Sequence, residues 1–68
     1  MMNNKFTPNE KRIINLLYVA RRQLTTRQVS EKLGIAWQTA KDNLLALHEK
    51  NYVNKEDRGN RTYWWLRT

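Results

Sequence analysis

The chemistry open to this chain rests on three small sets of side chains. Residues 37–50 read as a helix in which Gln38, Asp42, Leu45 and Glu49 share one side, with Lys41 on its flank. An amide, a carboxylate and an ammonium at that spacing donate and accept hydrogen bonds without forming a catalytic set. A second group, Asp57-Arg58-Gly59-Asn60-Arg61, puts two guanidinium groups around a turn. A third, Thr25-Thr26-Arg27, opens a helix, where exposed amides and the positive end of the dipole suit an anion. The groups that would break or make covalent bonds are missing. There is no cysteine, and the one histidine, His48, has only Glu49 beside it on its helical turn. No Gly-rich phosphate loop, no His-Glu-x-x-His and no nucleophile with a neighbouring base is present. The sequence therefore predicts recognition rather than catalysis, with no enzyme activity, no cofactor and no metal site.

Charge sharpens that reading. The 68 residues carry 13 Lys and Arg against 6 Asp and Glu, a formal net charge of +7. Seven basic and two acidic residues precede position 35, residues 35–53 hold two of each, and residues 54–68 hold four and two. A neutral central helix flanked by basic elements suits a polyanion held at its edges and read in the middle. The longest apolar run, Leu16 to Ala20, is far short of the roughly 20 residues that span a bilayer. Residues 1–6 carry no apolar segment of the signal-peptide kind. A cytoplasmic single domain is expected, too small for an evident effector pocket.

The elements that must position these groups are marked by caps and periods. Thr7, Pro8 and Glu10 are a capping box with a proline at the first helical position, and Ile13, Ile14, Leu17 and Tyr18 follow at helical spacing, so helix 1 is predicted over 8–22. Leu24 is expected to be extended. Thr25 and Gln28 form a second capping box, and Gly34 stops helix 2 after 26–33. Ala36 offers helix 3 no side-chain cap, and Asn51 is a plausible left-handed cap at its end. Beyond it the period becomes two: residues 52–56 and 62–67 read as strands around a turn at 57–61, a wing hairpin over about 52–67. The fold class is mainly α with a small β-hairpin: three helices plus a two- or three-stranded antiparallel sheet.

Three pieces of this pattern resemble the winged helix-turn-helix DNA-binding family: Ile13-Ile14-x-x-Leu17; Leu33-Gly34-Ile35 followed by Thr39-Ala40 and Leu44-x-x-Leu47; and Asn51-Tyr52-Val53 before a Gly-bearing turn and a strand ending Trp64-x-Leu66. The resemblance runs over about residues 7–66. It departs mildly at Ala36, where Ser or Thr is usual, and at Asn51, where Gly is usual. It implies a sequence-specific binder of double-stranded DNA, a prokaryotic or viral transcriptional regulator, with helix 3 in the major groove. Base contacts then fall to Trp37, Gln38, Lys41 and Asp42, with Leu45 at the margin. Gln38 could pair with adenine, Lys41 could reach guanine or a phosphate, and Asp42 could accept from cytosine or orient a neighbouring amide. Trp37 sits between the core and groove faces. Backbone contacts fall to Thr25, Thr26, Arg27 and Thr39, and wing contacts to Arg58, Asn60 and Arg61. Arg21 and Arg22 close helix 1, where cations also complement the dipole. The other open reading is a winged-helix adaptor that binds protein or RNA without reading a sequence.

Alternation puts Trp64 and Leu66 on one face of the last strand and Tyr63 and Trp65 on the other. With the first pair inside, the second would be exposed, to stack on nucleic acid, to form a dimer seam or to pack on the arm around Phe6. Tyr63, Trp65, Leu16, Val19 and Phe6 are the candidate surface for a homodimer that would double a short binding site. The location expected is the cytoplasm at the nucleoid, or the host cytoplasm for a viral protein.

Overall fold

The computed structural model describes residues 6–67, and the signal-peptide reading of residues 1–5 lies outside them. The order is α1 (Pro8–Ala20), β1 (Leu24–Thr25), α2 (Thr26–Leu33), α3 (Trp37–Glu49), β2 (Val53–Arg58) and β3 (Arg61–Leu66). The sheet is antiparallel, ordered β1-β3-β2, so the last strand lies in the middle. Its register pairs Leu24 with Trp64, Val53 with Leu66 and Lys55 with Trp64.

Both capping boxes form. Thr7 Oγ1 accepts from the Glu10 amide while Glu10 accepts from the Thr7 amide, and Thr25 and Gln28 repeat the pattern. Glu10 is itself buried, with Lys50 Nζ donating to its two oxygens at 3.0 and 3.2 Å, which ties the start of α1 to the end of α3. Arg12 donates to the Leu33 carbonyl at 2.7 Å and so holds the C-terminus of α2 against α1. Ile13, Leu17, Leu24, Val29, Ala40, Leu44, Leu47, Val53 and Trp64 form the core. Trp64 is the largest of these, and burying a side chain of that kind contributes roughly 3 kcal/mol. Its indole N–H donates to Thr26 Oγ1 at 2.8 Å, and the His48 ring lies edge-on to it. His48 is therefore a packing residue.

Several boundaries differ from the sequence expectation, and the strands begin at Val53 and end at Leu66 rather than at residues 52 and 67. Helix 1 ends at Ala20, not Arg22, because Arg21 adopts a left-handed conformation, φ 54° and ψ 33°, and turns the chain toward β1. The third helix stops one residue early, at Glu49. Lys50 caps it, and Asn51 follows with φ 69°. The hairpin turn is only Gly59–Asn60, flanked by the pair Arg58 and Arg61. Gly59 at φ 62° with Asn60 on the negative side matches the φ signature of a tight type II′ connection. The charged residues 57, 58 and 61, read as turn, are strand.

Candidate nucleic-acid interface

The exposed side of α3 carries a small hydrogen-bonded unit. Gln38 Nε2 donates to Asp42 Oδ1 at 2.8 Å across one helical turn. A primary amide has two N–H groups and a carbonyl, so this bond still leaves one donor and the acceptor of Gln38 for another partner. Asp42 orients the Gln38 amide through Oδ1 and keeps its second oxygen as an acceptor. Lys41 Nζ lies 5.1 Å from the Trp37 ring centroid, a cation–π arrangement that holds the ammonium over the N-terminus of α3. Trp37 is 48% exposed and outside the core, so it does not face inward. Thr39 is half-buried, and its carbonyl accepts from Asn43 Nδ2. Leu45 stands exposed on the same helix.

Beside Trp37 opens a polar cleft of about 580 Å³. Its walls are the first turn of α2 from Thr25 to Gln28 with Glu31, Trp37, and residues Asn60 to Tyr63 of the wing. The cleft thus brings together the α2 start, the α3 start and the wing tip, three groups far apart in sequence. Two of the expected backbone contacts change character there. Thr25 and Thr26 are buried, and their hydroxyls are engaged by the Gln28 amide and the Trp64 indole. Both line the cleft, and each hydroxyl oxygen already accepts one bond. Arg27 is the exposed group of that turn, paired at 3.0 Å with Glu31 one turn on.

The two wing arginines are not equivalent. Arg58 donates to Glu56 Oε1 at 3.0 Å and Gln23 Oε1 at 3.1 Å, with its guanidinium 4.5 Å from the Tyr63 ring centroid. It is a brace across the outer face of the sheet. Arg61 has no side-chain partner among the described residues and faces the cleft. On the inner face Asp57 accepts from Thr62 Oγ1 at 2.6 Å and from Lys55 at 3.3 Å. The Thr62 bond first, and then Lys55, hold the Asp57 carboxyl below the usual carboxylate value, and the charge of Lys41 adds to this. Lys55 was not singled out from sequence. The signal was its register on the Trp64 side of β2.

The candidate dimer surface is also redistributed. Phe6 and Leu16 pack against the protein's own core, with the Phe6 ring edge-on to Tyr52 at 4.9 Å. Tyr63 is half-buried beneath Arg58. Val19 is 66% exposed. Trp65, half-buried rather than exposed, lines an apolar groove of about 370 Å³ with Leu17, Tyr18 and Leu66.

The architecture is shared with several solved structures. The PcaV transcriptional regulator from Streptomyces coelicolor superposes with a TM-score of 0.86 at 24% identity, over 98% of this chain and 49% of that one. ZitR from Lactococcus lactis gives 0.83 at 23% identity, over 98% and 47%. The chain therefore spans about half the length of these two proteins. A structure of the DNA recognition and protein interaction domains of HOP2 gives 0.82 at 14% identity, over 87% of this chain and 98% of that one. No curated protein matches the chain in sequence. No helix among the described residues is long and apolar enough to cross a membrane. A family model described as winged helix-turn-helix DNA-binding matches residues 6–54, most of the chain, and the three helices and closing sheet are that fold: the chain belongs to the winged helix-turn-helix DNA-binding family.

Proposed function

We propose that the chain reads duplex DNA in a sequence-specific way and acts as a transcriptional regulator in the cytoplasm, at the nucleoid. The observation that carries this is the convergence of Arg27, Trp37 and Arg61 around one cleft, with Lys41 over the Trp37 ring and the uncommitted hydrogen-bonding edge of Gln38 on the same helix. In this reading α3 enters the major groove N-terminus first. Gln38, steadied by Asp42, offers its remaining N–H and its carbonyl to an adenine. Lys41 reaches guanine or a phosphate. Arg27 and the amides around it take one phosphate, and Arg61 takes another or enters the minor groove beside Asn60. PcaV is named as a transcriptional regulator, which supports the role.

One recognition helix covers only about four or five base pairs, so two copies on adjacent half-sites are part of the proposal. The outward side of α1 around Val19 is the surface left for that contact. The test is selection of bound duplexes from a random pool, followed by titration of the winner at several salt concentrations. Four to six neutralised phosphates give a log–log slope of about −4 to −5. A flat slope, or a pool that yields no shared motif, refutes sequence-specific reading. A complex that sediments with one protein per duplex refutes the paired arrangement.

A further inference from the structure

The apolar groove lies away from the DNA-facing elements. Its floor is Leu17 and Leu66, its walls are Tyr18 and Trp65, and its rim is Arg21, Arg22 and Gln23. No carboxylate lines it. Trp65 and Leu66 stand four and five residues from Arg61 along β3, about 13–17 Å from the wing turn at the usual rise per residue.

The rim has two features that bear on its occupant. The first is charge left open. Arg27 and Arg58 are each paired with a carboxylate, Arg12 holds the Leu33 carbonyl, and Arg67 reaches Asn51. Arg61 at the cleft has no side-chain partner among the described residues, and neither have Arg21 and Arg22, which stand together at one mouth. The second is backbone cost. Arg21 occupies the left-handed cap of α1, a position at which glycine is unstrained and arginine is not. The chain keeps a guanidinium at the groove in spite of that conformation.

We infer that this groove docks an acidic segment of a second protein, with one bulky apolar side chain inserted between Tyr18 and Trp65 and flanking carboxylates on Arg21 and Arg22. The apolar floor excludes a nucleic-acid backbone as the occupant. A second copy of this chain would bring arginine rims of a +7 protein together without a carboxylate in the lining to separate them. The floor, Leu17 and Leu66, offers no polar side-chain group to orient a small ligand, which fits a socket for an apolar side chain. Because the socket and the wing turn lie at opposite ends of β3, the segment and DNA bind at the same time.

The test uses the full chain labelled with ¹⁵N and the probe peptide Asp-Glu-Asp-Phe-Leu-Glu-Asp-Glu. The three tryptophans report separately: Trp65 in the groove, Trp37 at the cleft, Trp64 in the core. The expected result is a saturable shift of the Trp65 indole N–H and of the amides of residues 18–23, with Trp37 and Trp64 unmoved. Replacing Phe-Leu by Ser-Ser in the probe should abolish it. Arg21→Gln with Arg22→Gln, folded as judged by an unchanged Trp64 resonance, should weaken binding about tenfold, the loss of two partly desolvated charge pairs. Shifts confined to Trp37 and Arg27, or equal binding of the Ser-Ser probe, would mean attraction to the basic cleft alone and overturn the proposal. Broadening of Trp65 with protein concentration, unaffected by the probe, would assign the groove to a second copy and overturn it too.

Discussion

Thr26→Val separates a structural strut from a phosphate contact. The Thr26 hydroxyl accepts the Trp64 indole N–H at 2.8 Å, with both residues within 5% exposure. Valine keeps the shape of threonine and puts a methyl group where that oxygen sits. The indole N–H is then buried without an acceptor, which costs about 1–3 kcal/mol. Helix propensity changes by only a few tenths at this position, so the lost bond dominates. A domain of this size has roughly 3–10 kcal/mol of stability in total, and each kcal/mol moves its Tm by about 4–8 °C. Thermal unfolding followed by far-ultraviolet circular dichroism should therefore show a drop of about 8–16 °C for a 2 kcal/mol loss. Trp64→Phe removes the donor as well as volume, so the double variant should be more stable than additivity predicts, by about 1 kcal/mol. DNA affinity measured well below the transition should hold. An unchanged Tm together with a fall in affinity would show that the hydroxyl faces phosphate and that the strut carries no energy.

The other predictions concern the wing and the end of α1. Arg61→Ala should weaken binding to all duplexes about equally and flatten the salt slope by about 1, whereas Arg58→Ala, which unties Glu56, Gln23 and Tyr63, should change the slope little; equal effects in a fluorescence titration would contradict the distinction. Asp57 has a folded pKa below the ordinary 3.8, so its stabilising contacts are complete above that pH and are lost as the pH falls through the lower folded value. Carbon-detected titration of the wing should accordingly show Thr62 and Lys55 contacts intact at pH 4, and Thr62→Val should move the Asp57 midpoint upward; a midpoint that stays put removes Thr62 as the main cause. Arg21→Gly should raise stability by up to about 1 kcal/mol by relieving the left-handed arginine, net of glycine's greater freedom when unfolded; a lower Tm would show that the arginine side chain stabilises the cap more than the conformation costs.

Much of the scaffold was legible because it is written in local chemistry. Two Thr-x-x-Glu/Gln boxes and Gly34 determined both ends of α2 and the start of α1, and the switch to period two announced the hairpin. The end of α1 was not legible, since arginine carries no signal for a left-handed cap. The length of the strands was hidden for a related reason: Asp57, Arg58 and Arg61 look like turn residues until cross-strand partners such as Thr62 are known. At the site, the types of group were readable and their pairings were not. Gln38 and Asp42 stand one turn apart, so their bond was within reach of helical geometry. Thr26 with Trp64 and Arg58 with Gln23 join residues 38 and 35 positions apart, and no pattern in the sequence links them. The groove escaped notice in the same way, because α1 and β3 each show only half of it.

The central position of β3 bears on how the chain reaches this state. Leu24 and Thr25 pair with Trp64 and Tyr63, so β1 has nothing to bond to until residues from the far end arrive. The largest core side chain, Trp64, comes in the same late segment. On a ribosome the three helices emerge first and can collapse on one another, yet the site facing Trp64 stays unfilled and Thr26 has no donor. Closure then comes when the β2–β3 hairpin docks its β3 edge on β1, and it carries the cleft into being along with the core. Chains stopped before residue 61 should be protease-sensitive helical intermediates, and slow, non-local pairing of this kind is the step at which a substitution in β3 would delay folding most.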